Sequence, residues 1–257
     1  MSTNVPYDHN LRLYNCPETV SYYDALNHLT KCERFLFDAY LKSGMRILDI
    51  GVGGGRTIPY LTSITDQYVG IDYAENMIRL CKTKFPDLEF LVADASDMFT
   101  FSDGSFDAIV FSYNGMDYLY PQEKRLRCLL ECFRLLKNQG IFIFSVHNAK
   151  SIIFRPDLEG LNWSRVACWL LYSIYQSIRF IIQKGTNLAF WRGDGYIVDP
   201  VHGGLLTHVS TPEHVTSELT RCEFNLVTIV GSDYPRRNLR YATPWYYYVF
   251  VKSEASA

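Results

Sequence analysis

The chain has 257 residues, of which 48% are hydrophobic and 20% charged, and its formal net charge is −2. That length holds one sizeable α/β domain with an insertion. The apolar content excludes a disordered chain, and the charge balance offers no general attraction to nucleic-acid phosphates. Seven cysteines lie scattered at 16, 32, 81, 128, 132, 168 and 222, with no Cys-x-x-Cys pair and no zinc spacing, so free thiols in a reducing compartment and no metal are expected. Cys128 and Cys132, four apart on a predicted helix, read as packing residues. Met1 to Asn10 show no basic stretch leading into an apolar run; no secretory signal is read, and the cytoplasm is the expected location.

Residues 18–42 carry Leu26, Leu29, Phe35, Leu36 and Tyr40 at helical spacing, so a helical region ending at Ser43-Gly44 is expected. From Met45 the pattern changes to short apolar runs alternating with helical segments, which predicts β-α-β units. Strands are expected at 45–50, 67–72, 88–94, 106–112 and 141–147. Helices are expected from 55 to 63, from Asn76 to Lys84 and from Pro121 to Leu136. Residues 151–207 interrupt this rhythm with an aromatic-rich apolar helix, a turn at 184–187 and a strand excursion from 195 to 208. Ser210-Thr211-Pro212-Glu213 then starts another helix, since Ser or Thr caps it and the first turn accepts Pro. Runs 224–231 and 245–252 supply two last strands, joined by a loop too short for a crossover helix and therefore antiparallel. The expected fold is an α/β doubly wound, seven-stranded, mainly parallel sheet with an antiparallel last strand pair and an inserted lid region. In domain terms this gives 1–44 as N-terminal helices, 45–150 as the core, 151–208 as a lid over substrate, and 209–257 as the end of the core.

Asp49-Ile50-Gly51-Val52-Gly53-Gly54-Gly55 closes the first strand. Glycines there let the backbone approach a ligand and take positive φ, while the following helix start offers free N–H groups. A dinucleotide-type Gly-x-Gly-x-x-Gly pattern beginning at Gly51 meets Arg56 at its third glycine, which argues against a pyrophosphate ligand. Asp72 ends the second strand about 20 residues on, where an acid holds ribose hydroxyls, and Asp94 ends the third. Strand carboxyl ends converge at the switch point of such a sheet, so Asp49, Asp72 and Asp94 should face one crevice.

Through MRILDIGVGGG, VGIDYAENMI, LVADASDMFTFSDGSFDAIVFS and LLKNQGIFIFS, residues 45–147 resemble the class I S-adenosylmethionine-dependent methyltransferase family. The resemblance implies that S-adenosylmethionine is the cofactor. It further implies that Asp49, Gly51, Gly53 and Gly55 lie against its methionine portion, that Asp72 holds the ribose, and that Tyr73 packs on the adenine. Asp94 and Ala95 meet the adenine edge, and Ser112 and Tyr113 lie under the sulfonium and the substrate. Phe99-Thr100-Phe101 stands where many relatives have Leu-Pro-Phe.

Methyl transfer from a sulfonium is an in-line displacement that needs alignment and no covalent nucleophile. Tyr113, Tyr118 and Tyr120 offer aromatic faces to the positive sulfur, with simple packing as the alternative for each. His147, directly after the fifth strand, is the expected general base, with a structural role as the alternative; His202 and His208 flank Gly203-Gly204 and are further candidates. Between Arg165 and Arg179 the insertion carries thirteen uncharged residues, fewer than the ~20 that cross a bilayer. A lid is expected and stable membrane insertion is not, with interfacial attachment to a bilayer surface through the cationic ends of the apolar helix as the alternative. The expected function is methyl transfer to a hydroxyl or amine of a small, apolar or aromatic metabolite. The alternatives are a methyltransferase acting on protein, lipid or RNA, and a catalytically idle cofactor-binding scaffold.

Overall fold

A computed structural model describes residues 9–153, 155, 163–199 and 204–254. Three short helices open the described chain: α1 His9–Tyr14, α2 Pro17–Ala25 and α3 Lys31–Tyr40. The single helical region expected over 18–42 is thus two helices. Thr30 accounts for the break. Its side chain accepts from the Glu33 backbone N–H at 3.1 Å while the Glu33 carboxylate accepts from the Thr30 N–H at 2.7 Å, a reciprocal cap that holds Thr30 extended and starts α3 afresh.

The α/β rhythm follows as β1 Ile47–Ile50, α4 Ile58–Ile64, β2 Tyr68–Asp72, α5 Glu75–Lys84, β3 Glu89–Val92, β4 Phe106–Phe111, α6 Gln122–Leu135 and β5 Leu136–His147. Strand β5 starts five residues earlier than expected, because Leu136 pairs with Phe106 before a register shift, and Gln139 takes a φ of +60°. The insertion holds α7 Trp163–Gly185, α8 Leu188–Arg192 and the antiparallel hairpin β6 Asp194–Asp199 and β7 Leu205–Ser210. The chain ends in α9 Pro212–Arg221, β8 Phe224–Gly231 and β9 Trp245–Lys252.

Seven strands form the main sheet in the order β3-β2-β1-β4-β5-β9-β8. The first five are parallel; β9 is antiparallel to both β5 and β8. Successive strand residues point to opposite faces, and each face is buried. Phe142, Phe144, Tyr248 and Phe250 pack under α6 and α9 with Cys128, Cys132, Leu135 and Leu219. Ile143, Tyr247 and Val249 face the opposite way, toward Leu36, Phe37, Ile58, Leu61, Ile78 and Cys81. Both Cys128 and Cys132 are free, buried core thiols. Strand order reverses between β1 and β4, and the carboxyl ends of β2, β1 and β4 therefore flank one crevice.

Candidate active site

At that switch point lies a cleft of about 910 Å³ including its mouth, walled by Asp49, the glycine turn, Asp72, Tyr73, Asp94, Ala95, Ser112 and Tyr113. All the expected cofactor-binding residues except Gly55 line it. Gly55 sits behind the wall at a φ of +86°, where an added Cβ would meet the Phe85 ring at 2.9 Å. Gly51 and Gly53 take φ of +67° and +52°, so the turn brings backbone to the cleft surface without side chains in the way.

Asp72 organises the turn. It is buried, and its carboxylate accepts from the N–H of Gly53 at 3.0 Å and of Ala74 at 2.9 Å. Burial raises its pKa to about 6 despite those bonds. Asp49 is likewise raised to about 6 by burial, and it accepts from the Thr57 hydroxyl at 2.6 Å and the Tyr68 hydroxyl at 3.0 Å. Asp94 behaves differently. Burial pulls its carboxyl up, but the Lys124 ammonium and the Ser96 N–H and hydroxyl outweigh that and hold it below the usual range.

Three features were not read from the sequence. Arg56, which spoils the dinucleotide pattern, donates to the fully buried Glu33 carboxylate through Nη1 at 2.6 Å and Nη2 at 2.5 Å, and lies 4.7 Å above the Tyr113 ring. Burial works against the ionised Glu33, yet the guanidinium holds its pKa below the ordinary value. The Ser112 hydroxyl also donates to Glu33, so the side chain expected under the sulfonium is turned toward α3. Next, Tyr14 and Tyr23 of α1 and α2 line the cleft. An added Cβ on Gly54 would stand 2.3 Å from the Tyr23 carbonyl oxygen, so only glycine lets α2 close on the turn. No described residue of 151–208 lines this cleft; the hairpin touches a neighbouring pocket through Leu206, and Asn10 joins it to the wall by donating to the Leu206 and Tyr118 carbonyls.

The third feature is a carboxylate behind His147. Asp117, wholly buried in the turn Gly115–Tyr118, accepts from the His147 backbone N–H at 2.7 Å and from Nδ1 at 2.8 Å through the same oxygen. Because a carboxylate only accepts, Nδ1 carries the hydrogen and Nε2 the lone pair, which faces Asn114 Nδ2 at 3.2 Å. Tyr118, on the cleft wall, sits edge-on to His147 at 6.3 Å between ring centres. The other Asp117 oxygen lies 3.5 Å from the buried Arg125 and 4.0 Å from His208. His208 is buried too, beside Asp194 at 3.3 Å, which removes it as a base open to substrate. His202 lies outside the described residues. Tyr120 packs on Tyr196 of the hairpin at 5.2 Å, away from the cleft.

The cleft fits S-adenosylmethionine on its own chemistry. It offers a glycine cradle, an acid at the ribose position, two carboxyls that a cationic ligand would favour in ionised form, and the buried Tyr73 hydroxyl with no hydrogen-bond partner. Residues 48–144 match the methyltransferase domain family. The chain carries a class I S-adenosylmethionine-dependent methyltransferase domain. A Bacillus subtilis protein, YqeM, assigned as a methyltransferase, is 27% identical over 62% of this chain and 66% of its own. The demethylmenaquinone methyltransferase of Thermotoga maritima is 29% identical over 51% of this chain and 58% of its own. Among solved structures, the Burkholderia thailandensis 1,6-didemethyltoxoflavin-N1-methyltransferase superposes with a TM-score of 0.61 over 99% of this chain and 94% of its own, at 14% identity. That last likeness shows the fold. The chain spans between half and two thirds of the length of the curated relatives it matches first.

Proposed function

We propose that the methyltransferase domain methylates a hydroxyl or amine of a small apolar or aromatic metabolite, and that His147 takes the proton when the acceptor is a hydroxyl. The observation that carries this reading is the Asp117–His147 pair beside the cleft wall. When bound, S-adenosylmethionine supplies a methyl group activated by its sulfonium. The remaining work belongs to the chain. Asp117 fixes the ring orientation and leaves the Nε2 lone pair facing Asn114 Nδ2; a hydroxyl displacing Asn114 from Nε2 loses its proton there, and the buried carboxylate then stabilises the imidazolium. Tyr113 and Tyr118 exclude water and offer faces tolerant of positive charge. The aromatic lining favours an apolar acceptor, as does the name of the relative that acts on demethylmenaquinone.

The test is incubation of the full chain with methyl-labelled S-adenosylmethionine and a small-molecule extract, followed by mass spectrometry of whatever gains the label. Label in the small-molecule fraction is expected, with His147→Ala lowering turnover ~10²–10⁴-fold and leaving S-adenosylhomocysteine affinity unchanged. Label found only in protein, lipid or RNA, or none at all, rejects the metabolite reading. A loss below about threefold in His147→Ala removes His147 as the base.

A further inference from the structure

Helix α7 is amphipathic the wrong way round for a helix packed on a soluble core. Leu171, Ile174, Tyr175, Ile178, Ile181 and Ile182 recur at i, i+3, i+4, i+7, i+10 and i+11, which is one helical stripe, and all six are exposed, up to 69% at Leu171. The covered side is mixed and less apolar, with Val166, Arg179 and Phe180 half-buried beside polar residues. Ser173 is buried, Gln176 and Ser177 are half-buried, and the serine hydroxyls donate to carbonyls of their own helix, Ser173 to Trp169 at 2.6 Å and Ser177 to Ser173 at 2.7 Å. Helix α8, which packs beside α7, continues the apolar surface with Leu188 and Trp191, each at least 60% exposed. At 1.5 Å per residue the stripe runs about 17 Å, and with α8 it forms a continuous apolar surface that single exposed apolar residues do not explain.

Charge identifies the occupant. From 160 to 193 the sequence holds Arg165, Arg179, Lys184 and Arg192 and no acidic residue, although the whole chain is slightly acidic. A second copy seated on this face would bring two sets of cations together with no carboxylate between them. An anionic surface with an apolar interior instead satisfies both the stripe and the cations, and Trp169, Tyr172, Tyr175 and Trp191 are the residue types that settle at a headgroup boundary. No described helix is long and apolar enough to cross a membrane.

We propose that α7 and α8 dock the protein on an anionic lipid surface, with α7 lying in the plane of the interface. The experiment is flotation of the full chain with vesicles of phosphatidylglycerol and phosphatidylcholine in equal parts, beside vesicles of phosphatidylcholine alone. Expected is binding to the anionic vesicles that weakens with added salt and is much lower on the neutral ones. Ile174→Gln with Ile178→Gln should weaken it at least tenfold, and Arg179→Gln with Arg192→Gln about fivefold per charge removed. All variants should retain S-adenosylhomocysteine binding, which reports an intact fold. Should a variant lose that binding, hydrogen exchange on the unaltered chain decides: anionic vesicles should protect 163–193 and leave the cleft residues unaffected. The proposal is overturned by absence of flotation, by equal binding to neutral vesicles, by intact variants that bind as before, or by a dimer in sedimentation that Ile174→Gln with Ile178→Gln dissolves. Success or failure here is independent of which acceptor is methylated.

Discussion

The two carboxyls at the ends of β1 and β2 set how the cleft responds to pH. Asp49 and Asp72 titrate near 6, raised by burial from the usual value of 3.8. Burial disfavours their ionised forms, and ribose hydroxyls and an ammonium favour them. The sign follows. Below about pH 6 the ligand must displace protons, so S-adenosylhomocysteine affinity should rise with pH up to about 6 and level off above it, measured by calorimetry across pH 5 to 8. An affinity flat across that range would contradict the assignment. For the same reason Asp72→Ala should weaken binding at least tenfold, about 1.4 kcal/mol, since the change removes the ribose acceptor and also leaves the Gly53 N–H without its partner. Behind the cleft wall, Asp117→Asn tests the positioning role: an amide oxygen still accepts hydrogen bonds from His147 but brings no negative charge to an imidazolium. With a hydroxyl acceptor, kcat should fall tenfold or more while the acceptor KM changes little; equal changes in both would make Asp117 merely structural.

Among the elements, α2 and α3 govern the glycine turn from the side the sequence does not advertise. Helix α3 delivers Glu33, which caps its own helix through Thr30 and pairs with Arg56 across the turn. Helix α2 delivers the Tyr23 carbonyl against Gly54. Gly54→Ala should therefore force α2 outward. An overpacked contact of this kind costs ~1–3 kcal/mol, read as a lower Tm together with weaker S-adenosylhomocysteine binding. Gly185→Ala, where nothing lies within 4 Å of the added Cβ, is the control and should leave both unchanged. Gly54→Ala with an unaltered Tm would mean that α2 does not close on the turn in solution. The capping pattern itself was legible as Thr30 followed three residues later by Glu33, yet the apolar spacing of 18–42 masked it, because periodicity does not register a break that keeps the same face inward.

On the scale of the whole molecule, the fold divides into a rigid sheet and a cover made from distant parts of the chain. Asn10 ties α1 to the Leu206 backbone in both directions, with the Leu206 N–H donating back at 2.9 Å, and Asn76 of α5 donates through its side chain to the Asn15 carbonyl at 2.8 Å. These bonds hold Tyr14 and Tyr23 over the cleft. S-adenosylhomocysteine should consequently slow amide exchange in 9–25 and 51–57 while leaving 163–185 unchanged; protection of 163–185 by ligand alone would return α7 to the lid role expected from sequence.

The sequence by itself determined the parallel sheet, its antiparallel end, and the acids and glycines at the switch point. Those features rest on local rules: a two-residue period for strands, glycine where φ is positive, and polar residues at strand ends. That logic places Asp49, Asp72 and Asp94 in one crevice before any coordinates are known. Only the tertiary structure decided that Tyr14 and Tyr23 line the crevice, that Arg56 and Ser112 both serve Glu33, that Asp117 stands behind His147, and that the apolar stripe of α7 faces outward. Each of these is a pairing between residues that are distant in sequence, or the orientation of a helix against a distant neighbour. Periodicity tells that a helix has two faces; it does not tell which one the rest of the chain will cover.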